Sequence, residues 1–253
     1  MGEAVHMHLT TKVLVLREVR YKEADRILTL LTADQGKITV KARGALRKGS
    51  RIGAATQPLC YSEFTMFGNR GRWTADEGCS VEQFLGLRED IAQLALGAYF
   101  AELLDTVCPE DVPAPRTLSL ALNALYALSR GIYGPEHVKA VFELSLLCME
   151  GFAPEVEACG VCGRTDMEEP MFSPVSGMVH CRDCGSVVMG GSVALDKESL
   201  DAMRFIAASE PKRAFSFAIP EESENRLCRA CESFVRQQLD KNFYSLDYWK
   251  SVK

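Results

Sequence analysis

Between Lys12 and Trp73, apolar and polar residues alternate in short runs broken by glycine and turn formers: KVLVLREVRY, DRILTLLTADQGKITVKARG and GAATQPLCYSEFTMFGNRGRWTADEG. A period of two is the mark of strands with one buried face. Tyr21–Arg26 and Ala33–Gly36 read as turns, and Gly68-Asn69-Arg70-Gly71 as a hairpin loop between strands at Tyr61–Phe67 and Arg72–Ala75. About five strands in roughly 80 residues predict a small Greek-key barrel of the OB type, a pattern that an SH3-like barrel would share.

After Gly78 the period lengthens. Apolar residues recur at helical spacing over Phe84–Val107, stopped by Cys108-Pro109, then over Thr117–Gly131 and Pro135–Gly151. These three segments are apolar on more than one stripe, so they are expected to pack together as a helical body. Pro154–Gly191 breaks the pattern and reads as an insertion. Helix resumes over Asp196–Ser209, where Asp196 or Ser192 is the expected cap, and again over Glu221–Phe243 beyond a proline-bearing loop at Pro211–Pro220.

Composition narrows the class. The 253 residues are 47% hydrophobic and 25% charged, the globular average, which excludes global disorder and a disulfide-stapled miniprotein. No apolar run is long enough to span a bilayer and the segment MGEAVHMHLTTK lacks a signal-peptide layout, so a cytoplasmic protein without membrane contact is expected. The net charge of −5 hides an asymmetry. Residues 1–78 carry 13 Lys+Arg against 8 Asp+Glu, a balance of +5, which leaves 16 against 26, or −10, for the rest. A basic module on an acidic body is the pattern of a chain whose one end meets a polyanion.

Ten cysteines in a reducing compartment are kept as thiols, and close pairs are then metal-ligand candidates. Cys159-Gly-Val-Cys162 is followed after eighteen residues by Cys181-Arg-Asp-Cys184, each pair with a glycine directly behind it. That spacing matches a four-cysteine zinc ribbon holding one structural Zn²⁺, since four protein ligands leave no open position for catalysis; four free thiols are the bland alternative. His180 adjoins the second pair but is not needed as a ligand. Cys228 and Cys231 share one helix face, where ligation, redox chemistry and plain packing all remain open, with packing the simplest. Cys60, Cys79, Cys108 and Cys148 read as core fillers.

Lys37, Lys41, Arg43, Arg47, Lys48 and Arg51 form the second constellation. No acidic residue occurs from Gln35 to Ser62, so these six charges are uncompensated locally and phosphate is their natural ligand, unless they merely solvate a loop. Tyr21, Phe64, Phe67 and Trp73 lie on the same module as candidate base-stacking surfaces, Trp73 being more simply core. The phosphate loop, the nucleophile elbow and the HExxH zinc motif are all absent, and no catalytic constellation is visible; the chain reads as non-enzymatic.

A basic amino-terminal barrel reading YKEADRILTLLTADQGKITVKARGALRKGSR, followed by a helical body interrupted by CGVCGR and HCRDCG, resembles the bacterial recombination mediator RecO family over essentially the whole chain. The resemblance implies an α+β multidomain protein: an OB-fold barrel at 1–80, a helical domain at 81–153 and 192–253, and a zinc ribbon inserted at 154–191. It further implies binding of single- and double-stranded DNA, annealing of complementary strands, and partnership with RecR and single-strand-binding protein so that RecA is loaded during recombinational repair of DNA damage. On that likeness phosphate contact falls to Lys37, Arg43, Arg47, Lys48 and Arg51, with Lys41 in the same basic stretch, and the cell compartment to the nucleoid-bearing cytoplasm. An RNA-binding or ribosome-associated barrel is the alternative with the same charge pattern. Leu120, Leu125 and Leu128 are candidate anchors for partner peptides, more often core than interface, and the terminal DYWKS is assigned no role.

Overall fold

The computed structural model describes residues 7–69, 72–188 and 190–253, which form two compact units. One takes in the described residues up to Leu118 together with Tyr244–Lys253; the other is Ser119–Phe243.

The first unit is built on a closed five-stranded barrel of β1 (Met7–Tyr21), β2 (Asp25–Thr32), β3 (Lys37–Ala42), β4 (Tyr61–Asn69) and β5 (Arg72–Glu82), in the order β1-β2-β3-β5-β4. β1 closes it. Its first half pairs antiparallel with β4, from Met7↔Gly68 to Leu14↔Tyr61, and its second half with β2, from Val13↔Thr32 to Tyr21↔Asp25. A register shift between Val15 and Arg17 marks the bend, because a bulge adds a residue to one strand and curves it. β3 and β5 run parallel through Val40↔Trp73 and Ala42↔Ala75, so the chain between them must cross over rather than turn in a hairpin. That parallel pair settles the choice left open by periodicity in favour of the OB topology. Arg70 and Gly71, the tip of the expected hairpin loop, lie outside the described residues.

Alternation supplies the core. Val13, Val15, Leu28, Leu30, Ile38, Val40, Phe64 and Met66 point inward and are fully or nearly fully buried. Gly36, at φ +62° between β2 and β3, is required twice over: its left-handed backbone favours glycine, and a Cβ there would stand 1.9 Å from the Val112 carbonyl oxygen.

The expected helix over Phe84–Val107 is two helices, α1 (Leu85–Glu89) and α2 (Ile91–Val107). Asp90 divides them because its backbone is extended and its carboxylate accepts the N–H groups of Ala92 at 2.7 Å and Gln93 at 3.3 Å, capping α2. The terminal DYWKS belongs to α7 (Tyr244–Val252), which packs along α2 with Trp249 buried and with Ser245 donating to the Glu102 carboxylate.

The divide between the units falls within α3 (Pro115–Ser129). In the second unit α4 (Pro135–Met149) is buried over most of its surface and packs on α5 (Lys197–Ala208) and α6 (Glu221–Leu239). Asp196 caps α5 in a reciprocal box with Ser199, so Asp196 and not Ser192 is the cap. Leu120, Leu125 and Leu128 are at most 2% exposed and serve the interior. Before α5 the chain makes a small sheet, β6 (Pro170–Ser173), β7 (Met178–Cys181) and β8 (Val193–Ala194), in the order β7-β6-β8. Phe172 of this sheet meets Phe234 of α6 edge to face, with ring centres 5.3 Å apart.

Candidate nucleic-acid interface and metal centre

The basic segment leaves β3 at Arg43 and is shaped by two successive turns, in which Arg47 N–H donates to the Gly44 carbonyl and Ser50 N–H to the Arg47 carbonyl, both at 3.0 Å. Ala45 and Ile52 point into the barrel core. With the apolar positions anchored inward, Arg43, Arg47, Lys48 and Arg51 are turned outward and exposed. They converge on one open cavity of about 580 Å³, whose wall also holds Gly44, Gly49, Ser50, Asp25 and Asp76.

The other two cations of the constellation are engaged within the unit. Lys41 pairs with Asp25 at 3.0 Å, and its ammonium lies 5.3 Å from the centre of the Tyr21 ring. Lys37 is turned to α2, donating to the Asp105 backbone oxygen at 2.5 Å and lying 3.4 Å from its carboxylate. The aromatic candidates divide in the same way. Phe64 is wholly buried and offers no open face, Trp73 packs partly buried against the core, and Tyr21 and Phe67 are exposed.

The two Cys-x-x-Cys pairs come together, although eighteen residues separate them. All four sulfurs of Cys159, Cys162, Cys181 and Cys184 lie within 4.8 Å of one another, with Cys162–Cys181 at 3.6 Å, Cys181–Cys159 at 3.7 Å and Cys181–Cys184 at 3.3 Å. A tetrahedron of sulfurs about 2.3 Å from a central ion has edges of about 3.8 Å, so the group has the dimensions to hold a metal ion. β7 delivers Cys181, and the turn after Cys159, closed by Gly163 N–H to the Cys159 carbonyl at 2.8 Å with Gly163 at φ +72°, delivers Cys162. Burial pushes the Cys159 thiol up, but the N–H groups of Cys162, Cys181 and Val161 outweigh it and draw it down to about 6. The Cys184 thiol, hydrogen-bonded to Cys181 and desolvated, is pushed up to about 12. Four sulfurs this close ionise together only around a cation. His180 is buried with Nδ1 3.0 Å from the Cys181 carbonyl and Nε2 2.9 Å from the Ser192 hydroxyl; both ring nitrogens are occupied and it buttresses the cluster without joining it.

Cys228 and Cys231 lie on α6. Cys231 is buried, and the Cys228 sulfur faces the Glu136 carbonyl oxygen at 3.3 Å. Desolvation pushes the Cys228 thiol to about 12 and that of Cys231 upward as well. Beside them Lys139 is 2% exposed, 3.0 Å from Glu143 and 3.1 Å from Glu232, a buried ion triad that helical periodicity did not announce. Among the described residues no other group of three or more His, Cys, Asp or Glu side chains has metal-binding geometry, and no helix is long and apolar enough to cross a membrane.

Comparison with known proteins finds relatives along nearly the whole chain. A family profile described as Recombination protein O N terminal matches residues 7–79, and one described as Recombination protein O C terminal matches residues 88–247. The DNA repair protein RecO of Acetivibrio thermocellus is 34% identical over 245 residues, covering 97% of each chain. That of Symbiobacterium thermophilum is 30% identical over 95% of this chain and 96% of its own, and that of Rubrobacter xylanophilus 34% identical over 86% and 88%.

Proposed function

The chain belongs to the RecO family, whose work is DNA repair and recombination, and from that premise we propose that it is a non-enzymatic mediator that grips the sugar-phosphate backbone with its barrel and anneals complementary strands. The observation that carries this reading is the convergence of Arg43, Arg47, Lys48 and Arg51 on one open cavity of the barrel. Four cations so placed neutralise phosphates and release counterions without reading sequence. Tyr21, exposed beside Lys41, offers a ring on which a base of a single strand stacks.

Annealing needs no reacting group. A protein that neutralises two strands at once lowers their repulsion and raises their effective concentration, and base pairing then supplies the specificity. The acidic remainder of the chain disfavours DNA elsewhere and leaves the barrel as the contact face. On this reading the partners are single- and double-stranded DNA, RecR and single-strand-binding protein, with RecA loaded as the outcome in the cytoplasm at the nucleoid. The ion of the four-cysteine group is Zn²⁺, which suits an all-thiolate tetrahedral site; with its four positions filled by protein it holds the β6–β7 hairpin in shape and takes no part in chemistry.

The test is a variant with Arg43, Arg47, Lys48 and Arg51 all changed to Ala, titrated against a labelled single strand over a salt series. Affinity is expected to fall at least tenfold and the salt slope to flatten by about 2 to 3, at about 0.7 per lost phosphate contact. Unchanged affinity and slope would remove the cavity from the interface. An RNA strand of the same sequence in parallel separates this function from an RNA-binding one, and strand annealing that proceeds equally with and without ATP supports the mediator.

A further inference from the structure

The loop that carries the exposed cations leaves and rejoins the barrel beside one short stretch of β2, and the two side chains of that stretch hold both of its ends. At the leaving end Asp25 Oδ1 accepts the Gly44 N–H at 2.8 Å, and Leu46 N–H donates to the neighbouring Ala24 carbonyl at 2.9 Å. At the returning end Arg26 donates to Thr56 Oγ1 at 2.7 Å and to the Gly53 carbonyl at 3.4 Å. Thr56 is buried and itself donates to that Gly53 carbonyl at 2.8 Å, while the Arg26 guanidinium is braced by Glu18 at 2.5 Å across the β1–β2 ladder.

We propose that Asp25 and Arg26 are positioning residues for nucleic acid: a two-ended clamp that fixes the shape of the Gly44–Gly53 loop before DNA arrives. This rests on the barrel cavity being the DNA face. A loop free at either end would have to give up backbone freedom on binding, and affinity would be reduced by that loss; a pinned loop has already lost it. The clamp also explains an otherwise awkward feature. Asp25 puts a carboxylate in the wall of a cavity meant for phosphate, where its charge by itself repels the ligand. Gly44, at φ +64°, presents its N–H to that carboxylate, and the same interaction with Lys41 and the nearby Arg47 holds the acid below the ordinary carboxylate range, so it stays a strong acceptor.

The two roles of Asp25 oppose each other, and this gives the test its sign. Simple electrostatics predicts that Asp25→Ala tightens DNA binding, because a negative charge leaves a basic cavity. The clamp predicts weakening. Full-length D25A, D25N and R26A proteins are compared with wild type by anisotropy on one labelled single strand over a salt series, alongside amide hydrogen exchange of residues 43–53 in the free protein, with thermal unfolding to fix the folded fraction. The expected result is at least fivefold weaker binding for D25A and R26A with the salt slope kept, since every cavity-lining cation is still present, and faster exchange at Gly44 and Leu46 in D25A. D25N keeps an oxygen for the Gly44 N–H while shedding the charge, and is expected to bind at least as tightly as wild type. Binding by D25A equal to or tighter than wild type, or unchanged exchange in the loop, overturns the clamp. A quadruple arginine and lysine variant that still binds normally overturns the interface itself; one that binds weakly while D25A does not overturns the clamp alone.

Discussion

Lys37 and Asp105 are joined twice, once through the Asp105 backbone oxygen at 2.5 Å and once through its carboxylate at 3.4 Å, so a lysine grouped by sequence with phosphate-binding cations ties β3 to α2. Replacing Lys37 with Ala is therefore expected to lower unfolding stability by about 1 kcal/mol, less than the roughly 1.5 to 3 kcal/mol typical of a charged hydrogen bond because Asp105 is partly screened by water. The same variant should shift the salt slope of DNA binding far less than Arg51→Ala does. Denaturant unfolding and a salt titration on both variants check this, and a larger slope change in K37A than in R51A would return Lys37 to the interface.

The four-cysteine group makes a stoichiometric prediction. Protein purified without chelator should contain one equivalent of zinc by elemental analysis, and the double change of Cys159 and Cys162 to Ser should abolish it. Limited proteolysis of that variant should open residues 154–191 first while the barrel keeps its strand signal. Zinc retained in the double variant would refute the site.

Trp249 is 2% exposed on α7, and among the described residues its buried indole Nε1 has no hydrogen-bond partner. The large apolar body is what matters, because an unmet N–H contributes only a cost. Trp249→Ala should destabilise the protein by about 3 to 5 kcal/mol, whereas Trp249→Phe, which removes the unmet group and keeps most of the ring, should cost about 1 kcal/mol or less. Equal losses in the two variants, measured by denaturant unfolding, would show that the indole N–H matters more than the packing.

Cys228 bears on redox chemistry. Burial raises its thiol to about 12, so the thiolate that attacks disulfides is scarce at pH 8. Iodoacetamide at pH 8 should label exposed Cys79 in the native protein and leave Cys228, Cys231 and Cys148 unmodified until denaturant is added; the Cys148 thiol is likewise pushed up, to about 11. Rapid native labelling of Cys228, read by mass spectrometry, would revive a dithiol role.

How much of this was legible beforehand varies with the range of the interaction. The helix caps at Asp90 and Asp196 act over two or three residues, yet only Asp196 carries a readable signal. Asp90 sits inside a run whose apolar spacing continues across it, and periodicity does not register a single extended residue. Tyr21 and Phe64 both read as barrel aromatics, but Tyr21 ends β1 where Val19, Arg20 and Tyr21 are all exposed in succession, whereas Phe64 points into the core; alternation alone does not say where a strand leaves the packed part of the barrel. The roles of Asp25 and Arg26 had only a weak local signal: they fall at the end of Tyr21–Arg26, which reads as a turn, whereas the structure starts β2 at Asp25.

By itself the sequence determined what depends on neighbours along the chain: five alternating strands, helices ended by proline and glycine, two thiol pairs with ligand spacing, and a basic stretch on a barrel. Only the tertiary structure decided which of those cations are exposed on the cavity. Lys37 meets a partner 68 residues away and Lys41 one across the barrel wall, while Arg43, Arg47, Lys48 and Arg51 are turned outward by the anchoring of Ala45 and Ile52. Charge is a property of a residue, but its availability is set by whatever the fold brings within a few ångströms, and no local pattern encodes that distance.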